Sequence, residues 1–447
     1  MSNILINNAT IVNEGKSFKG NLLIKDEKIA AIGNFSEKEI PGNHTVIDAT
    51  GLLLLPGVID SHVHFREPGL TEKADIFTES RAAAAGGVTS FMDMPNTQPQ
   101  AVTIDALEEK YKIAAEKSLI NYSFYIGATN DNLNEILKAD PSKICGIKLF
   151  MGASTGNMLV DNDKSLRDLF KNAHIIISAH CEEETIIRKN IELFRQKYGD
   201  NIPAEIHPAI RNSEACFKSS SFAVSLAKEY NTKLHILHLS TAEETDLFSN
   251  EIPLRDKRIT AEVCIHHLWF DNSYYQKLGF MIKCNPAVKA QADKEVLRYA
   301  VNNDKIDIIT TDHAPHTIKE KTGSYFQAPS GCPSVQHSLM LMLELWHKKI
   351  FTIEKIVEKM CHNPATLFNI KERGFIRKGY KADLVLVNPN AKWTVSKDNI
   401  LYKCGWSPFE GEEVNSKVVT TIVNGVIVYD NGIINNDYRG QRLLFDR

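Results

Sequence analysis

Runs of Val, Ile, Leu and Phe just long enough for one strand recur through the middle of the chain, most of them followed by a stretch whose apolar positions repeat at helical spacing. In order, the strand-like runs are "LLLLPGVIDSHVHF", "VTSFMDMP", "INYSFYIGAT", "ICGIKLFM", "HIIISAH", "KLHILHLS", "RITAEVCIHHLWF" and "IDIITTDHAP". Between them lie helix-like segments such as "TIDALEEKYKIAAEKS", "DKSLRDLFKNA", "ETIIRKNIELFRQKYG" and "ADKEVLRYAVNN". Eight strands alternating with helices predict an α/β fold, a (β/α)8 TIM-type barrel over residues 55–367. An open doubly wound sheet is the rival, and no GxGxxG turn follows the first strand to favour it.

The ends are patterned differently. Residues 1–54 ("NILINNATIVNEG", "GNLLIKDEKIAAIG", "HTVIDATG") and 368–447 ("FIRKGYKADLVLVN", "TIVNGVIVYDNG") read as short strands broken by Gly and Asn turns. Neither end holds enough apolar residues for its own core, so together they predict a small flanking β-sandwich built from both chain ends.

Composition narrows the function classes. The chain has 447 residues, 43% hydrophobic and 24% charged, enough for a large buried core. A formal charge of -3 with no long Lys/Arg block argues against nucleic acid as a partner. Polar residues interrupt the first 20 positions, and no apolar run reaches the ~18 residues that cross a bilayer, so no membrane partner and a cytoplasmic location are expected. Eight cysteines stand one at a time with no CxxC pair, which predicts free thiols in a reducing compartment.

Chemistry-bearing residues gather at the predicted strand ends, where a barrel enzyme works. Alternation along the first strand turns His62, His64 and Arg66 to one side. Asn96 follows the second strand, Lys148 lies on the fourth, His180 and His238 end the fifth and sixth, and Asp312 and His316 stand at the eighth. They are predicted to converge on one pocket. His235, three positions before His238, is expected to face the other way; His266 and His267 are placed on strand seven. His44, His174, His207, His337, His347 and His362 read as structural or solvated.

Four imidazoles and a carboxylate form a donor set that Zn2+ takes, with positions left for water. Two cations close together need an anion between them, and Lys148 stands where such a ligand is wanted. Desolvation and neighbouring positive charge lower an amine's pKa, and the neutral amine can take up CO2 to become a carbamate. Asp161 or Asp163, on the following loop, is the alternative bridge. Two Zn2+ against Asp312, a carboxylated Lys148 and a hydroxide leave a net charge of about +1, suited to an anionic substrate. The segment "MGASTGNMLVDN" after Lys148 is small and polar enough to close over the mouth.

The motifs "DSHVHFREPG", "MPNTQP", "GIKLF", "SAHCE", "HILHLS", "KCNPAVK" and "TDHAPH", in this order, resemble the amidohydrolase superfamily and within it the dihydroorotase family. The likeness covers nearly the whole chain. It implies a zinc enzyme that reversibly cyclises N-carbamoyl-L-aspartate to L-dihydroorotate in pyrimidine synthesis, with a homodimer as a possible assembly. It implies His62, His64 and Asp312 on one metal, His180 and His238 on the other, and carboxylated Lys148 with hydroxide between them. Asp312 would also carry protons. Arg66, Asn96 and His316 would hold the substrate carboxylate, and Asn285, Ser330 and Gly331 would meet the ring. The chain departs from the family's pattern at Ser334 and Gln336, where a glycine and a glutamate are common. The other readings are a hydantoinase-type cyclic amidase, for which Arg66 would be an odd choice, and an inactive scaffold, which would be expected to lose ligands.

Overall fold

The structure is a computed structural model that describes residues 3–35, 40, 43–152 and 158–447. Its centre is a parallel barrel. The strands run Val58–Val63, Val88–Asp93, Asn121–Phe124, Ile147–Phe150, Ile177–His180, Leu234–Ile236, Ile259–Cys264 and Ile308–Thr310, and nearly every residue in them is buried. The third strand changes partner part way. Asn121–Phe124 pairs with the second strand, whereas Ile126–Gly127 pairs with the fourth. A parallel bridge from Val63 to His313, with the His64 N–H donating to the His313 carbonyl at 2.7 Å, joins the first strand to the last. The ring is therefore closed, as the alternating pattern predicts.

The intervening helices start on side-chain caps. Thr103, Asn162 and Asn212 each accept a backbone N–H of the helix that follows, Ile104–Lys117, Asp163–Asn172 and Ser213–Tyr230 respectively, which satisfies donors the helix cannot use itself.

Both chain ends meet in one nine-stranded mixed sheet. The joint is the antiparallel pair of Leu53–Pro56 with Leu384–Asn388. Alternation in these two strands explains how the sheet is held. Leu54, Leu384 and Leu386 turn into the sheet's own apolar cluster with Ile4, Ile6 and Ile24, while Leu53, Leu55, Val385 and Val387 join the large cluster that includes the barrel wall. All eight cysteines are free thiols, and no helix among the described residues is long and apolar enough to cross a membrane.

Candidate metal centre

The carboxyl ends of the barrel strands open into a cavity of about 300 Å3. It is lined by His62, His64, Arg66, Asn96, Lys148, His180, His238, Asn285, Asp312, His316, Ser330 and Gly331, together with Phe150 and Arg211. Every expected site residue thus reaches one place. Local backbone makes this possible: Arg66, His238 and Asp312, each just past a strand end, take φ of +67°, +41° and +46°. Such conformations cost a side-chain-bearing residue about 1–3 kcal/mol, which the surrounding packing must hold.

The imidazoles are aimed. His62 Nε2 and His64 Nε2 lie 3.2 and 3.1 Å from the same oxygen, Asp312 Oδ1. The far nitrogens are anchored. His62 Nδ1 is 2.5 Å from Glu262 Oε1, and His64 Nδ1 is 2.7 Å from Asn96 Oδ1. His180 Nδ1 stands 2.9 Å from His238 Nε2, whose ring centre is 5.3 Å from that of His62. His180 Nε2 faces Glu182 Oε2 at 3.0 Å. Glu182 is itself paired with buried Arg211.

Charge in this closed space follows from burial and neighbours. Burial lowers His64 to about 4 and takes His238 well below the usual imidazole range, where His180 and His62 beside it push the same way. Burial opposes protonation of His62 too, but the carboxylates of Asp312 and Glu262 outweigh it and raise His62 to about 9 when no cation is present. Burial brings the Lys148 amine down to about 8, so a neutral fraction is available near physiological pH. Its Nζ lies 4.6 Å above the centre of the Phe150 ring.

This donor set suits divalent cations. Four buried imidazoles and a carboxylate held ionised by His62 and His64 against its burial are the ligand types zinc prefers. One group of possible ligands, His62, His64 and Asp312, has its donor atoms within 4.8 Å of one another. The alternative bridges are elsewhere. Asp161 and Asp163 are exposed, the first accepting from Asn130 and the second paired with Arg167.

The same cavity is lined by a cationic side chain, Arg66. Arg66 is buried; its Nε donates to the Pro315 carbonyl at 3.0 Å and a terminal nitrogen lies 3.1 Å from His316 Nε2. Asn285 Oδ1 is buried without a partner, an acceptor waiting for an N–H. The Ser330–Gly331 turn is pinned from behind by buried Lys321, which donates to the carbonyls of Pro329 and Gly331 at 2.8 and 2.9 Å. Gly331 needs to be glycine: its φ is +132°, and a Cβ would stand 2.6 Å from the Ala314 oxygen.

Several expectations are corrected. His235 does not face away: its Nε2 meets Glu262 Oε2 at 3.0 Å, inside the barrel. Simple alternation fails because the strand ends at Ile236 and His238 follows in a left-handed turn that brings it back inward. His266 and His267 are not on strand seven but on the short buried helix Ile265–Trp269 that follows it. Ser334 and Gln336, where the chain departs from the family's pattern, do not line the cavity, in keeping with that departure. Ser334 donates to the Thr311 carbonyl, and Gln336 braces residues 399–402 by hydrogen bonds to the backbone of Asn399 and Leu401 and to the Tyr402 hydroxyl. Residues 153–157 of the segment expected to close over the mouth lie outside the described residues. Glu262 and Arg211 were not anticipated at all; the one hint of Glu262 in the sequence is an acid inside an otherwise strand-like run, "ITAEVC".

The model of the amidohydrolase family matches residues 53–428. The dihydroorotase of Methanosphaera stadtmanae is 32% identical over 445 residues, covering 98% of this chain and 99% of that protein. The dihydroorotase of Pyrococcus furiosus is 33% identical over 441 residues, covering 97% and 96%. Among solved structures, an L-hydantoinase (dihydropyrimidinase) from Arthrobacter aurescens superposes with a TM-score of 0.93 at 27% identity, covering 99% of this chain and 100% of that one.

Proposed function

Because this chain belongs to the amidohydrolase family, and its kinship with dihydroorotases makes it a cyclic amide hydrolase, we propose that it interconverts N-carbamoyl-L-aspartate and L-dihydroorotate, a step of pyrimidine synthesis. The observation that carries this choice of substrate is buried Arg66 beside His316 in the same cavity as the imidazoles. A planar guanidinium fork suits a carboxylate. Dihydroorotate has one, and hydantoin and dihydrouracil do not.

Two zinc ions per chain would be held by this donor set, one by His62, His64 and Asp312 and the other by His180 and His238, with carboxylated Lys148 as a further ligand. Bound there, they would supply Lewis acidity to the ring carbonyl at which the amide breaks. The remaining work falls to the chain. Arg66 and His316 hold the substrate carboxylate and so fix which ring carbonyl faces the cations. Asn285 Oδ1 accepts a ring N–H. In the hydrolytic direction Asp312 takes a proton from the attacking water and delivers it to the leaving nitrogen; in cyclisation it removes that proton from the carbamoyl nitrogen. Its position against two imidazoles keeps the carboxylate ionised.

A hydantoinase-type amidase is the second reading, favoured by the close superposition on the L-hydantoinase. Turnover of dihydroorotate and dihydrouracil by the same zinc-loaded preparation separates the two. A higher kcat/KM for dihydroorotate is expected, and a higher value for dihydrouracil would reject the proposal. A preparation inactive on both after full metal loading would favour the scaffold.

A further inference from the structure

Glu262 lies in the middle of the seventh barrel strand, fully buried and behind the cavity rather than in its wall. Leaving a carboxylate inside a barrel is costly unless it is hydrogen-bonded. Here three donors reach it. Oε1 accepts from His62 Nδ1 at 2.5 Å and from the backbone N–H of His238 at 3.3 Å. Oε2 accepts from His235 Nε2 at 3.0 Å, and His235 Nδ1 is in turn 2.9 Å from Thr260 Oγ1. Strands six and seven pair His235 with Thr260, so Thr260 and Glu262, two apart, share the inward face.

One carboxylate therefore touches a proposed ligand of each cation. With its Nδ1 proton held by Glu262, the His62 ring would turn its Nε2 lone pair to a bound cation, the tautomer a cation needs. Holding the N–H of His238 braces a residue whose φ of +41° the chain would otherwise tend to leave. An aliphatic side chain would fill the same volume without these constraints.

We propose that Glu262, itself held by His235, is a positioning residue that presets His62 and His238 for the two cations. The inference builds on the two-cation reading above. The affected quantity is cation affinity, and loss of such a partner costs about 10–100-fold in affinity. The cation at His62 should suffer more, because its ring is held directly whereas His238 is held only through its backbone.

The test uses metal-free full-length protein whose fold is checked by circular dichroism. Zinc affinities of wild type, Glu262→Gln and His235→Gln are measured by competition with a chromophoric chelator, and visible spectra are recorded after loading with Co2+. Glu262→Gln keeps the shape and loses the charge; His235→Gln disturbs the anchor without touching either cation ligand. The proposal expects weaker zinc binding, roughly 10-fold or more for Glu262→Gln and less for His235→Gln, and a changed Co2+ ligand-field spectrum. Folded variants that bind two cations within twofold of wild type, with an unchanged Co2+ spectrum, would overturn it even if their melting temperatures fell, since that pattern marks a merely structural role. Should Glu262→Gln fail to fold, His235→Gln decides by the same criteria. Wild type that binds no cation would instead overturn the two-cation reading and this inference with it.

Discussion

Arg66 and His316 stand side by side, a guanidinium nitrogen 3.1 Å from the imidazole Nε2. Burial first, then Arg66 and Lys73 close by, hold His316 well below the usual imidazole range, so the positive charge facing the cavity belongs to the guanidinium. Arg66→Met should lower kcat/KM for dihydroorotate on the order of 100-fold, consistent with the ~1.5–3 kcal/mol of a charged hydrogen bond. The slow rate on dihydrouracil should hardly change. Equal losses on both substrates would mean that Arg66 acts through its bond to the Pro315 carbonyl and not on the substrate.

Asp312 Oδ1 lies 3.2 and 3.1 Å from His62 and His64. Replacing it with alanine should remove most of the 10²–10⁴-fold that a positioned proton carrier contributes, with the circular dichroism spectrum unchanged. A rate near wild type would refute the proton-carrying role.

For Lys148 the expected chemistry is uptake of CO2 by an amine that burial has brought down to about 8. Lys148→Ala should be inactive, and acetate or propionate added with zinc should restore part of the rate by replacing the missing carboxylate. No recovery at any carboxylate concentration, with zinc bound, would argue that the lysine serves some other purpose.

His337 offers a stability test away from the cavity. Burial pushes this imidazole from 6.5 down to about 3 in the folded protein, so between those values the unfolded chain binds more protons than the folded one. Stability is then complete above pH 6.5 and falls as pH drops, by roughly 1.4 kcal/mol per unit from this group, levelling off below about 3. Urea unfolding between pH 7 and 4.5 should show a shallower acid loss in His337→Gln than in wild type. Parallel curves would contradict the assignment.

The barrel was legible because each of its strands is a short apolar run set off from helical spacing, and the site because barrel chemistry collects at strand ends. HxH at 62 and 64, Lys148, His180, His238 and Asp312 could each be placed on a strand or just past its end without knowing what lay beside them. Glu262 could not. Its role comes from lateral contacts with His62, 200 residues earlier, and with His235 on the neighbouring strand, and a one-dimensional pattern carries no such information. His235 was misplaced for a related reason: alternation holds only while a strand continues, and the left-handed turn at His238 breaks it. Asn96 shows a subtler limit, since its residue type suggested substrate binding while the structure also engages its oxygen with His64.

The most direct measurement is a zinc-edge anomalous difference map from crystals of the zinc-loaded protein. Two peaks are predicted, one contacted by His62, His64 and Asp312 and the other by His180 and His238, with density for a carboxyl group continuous with Lys148 Nζ between them. Peaks away from these side chains, or none at all, would contradict the account.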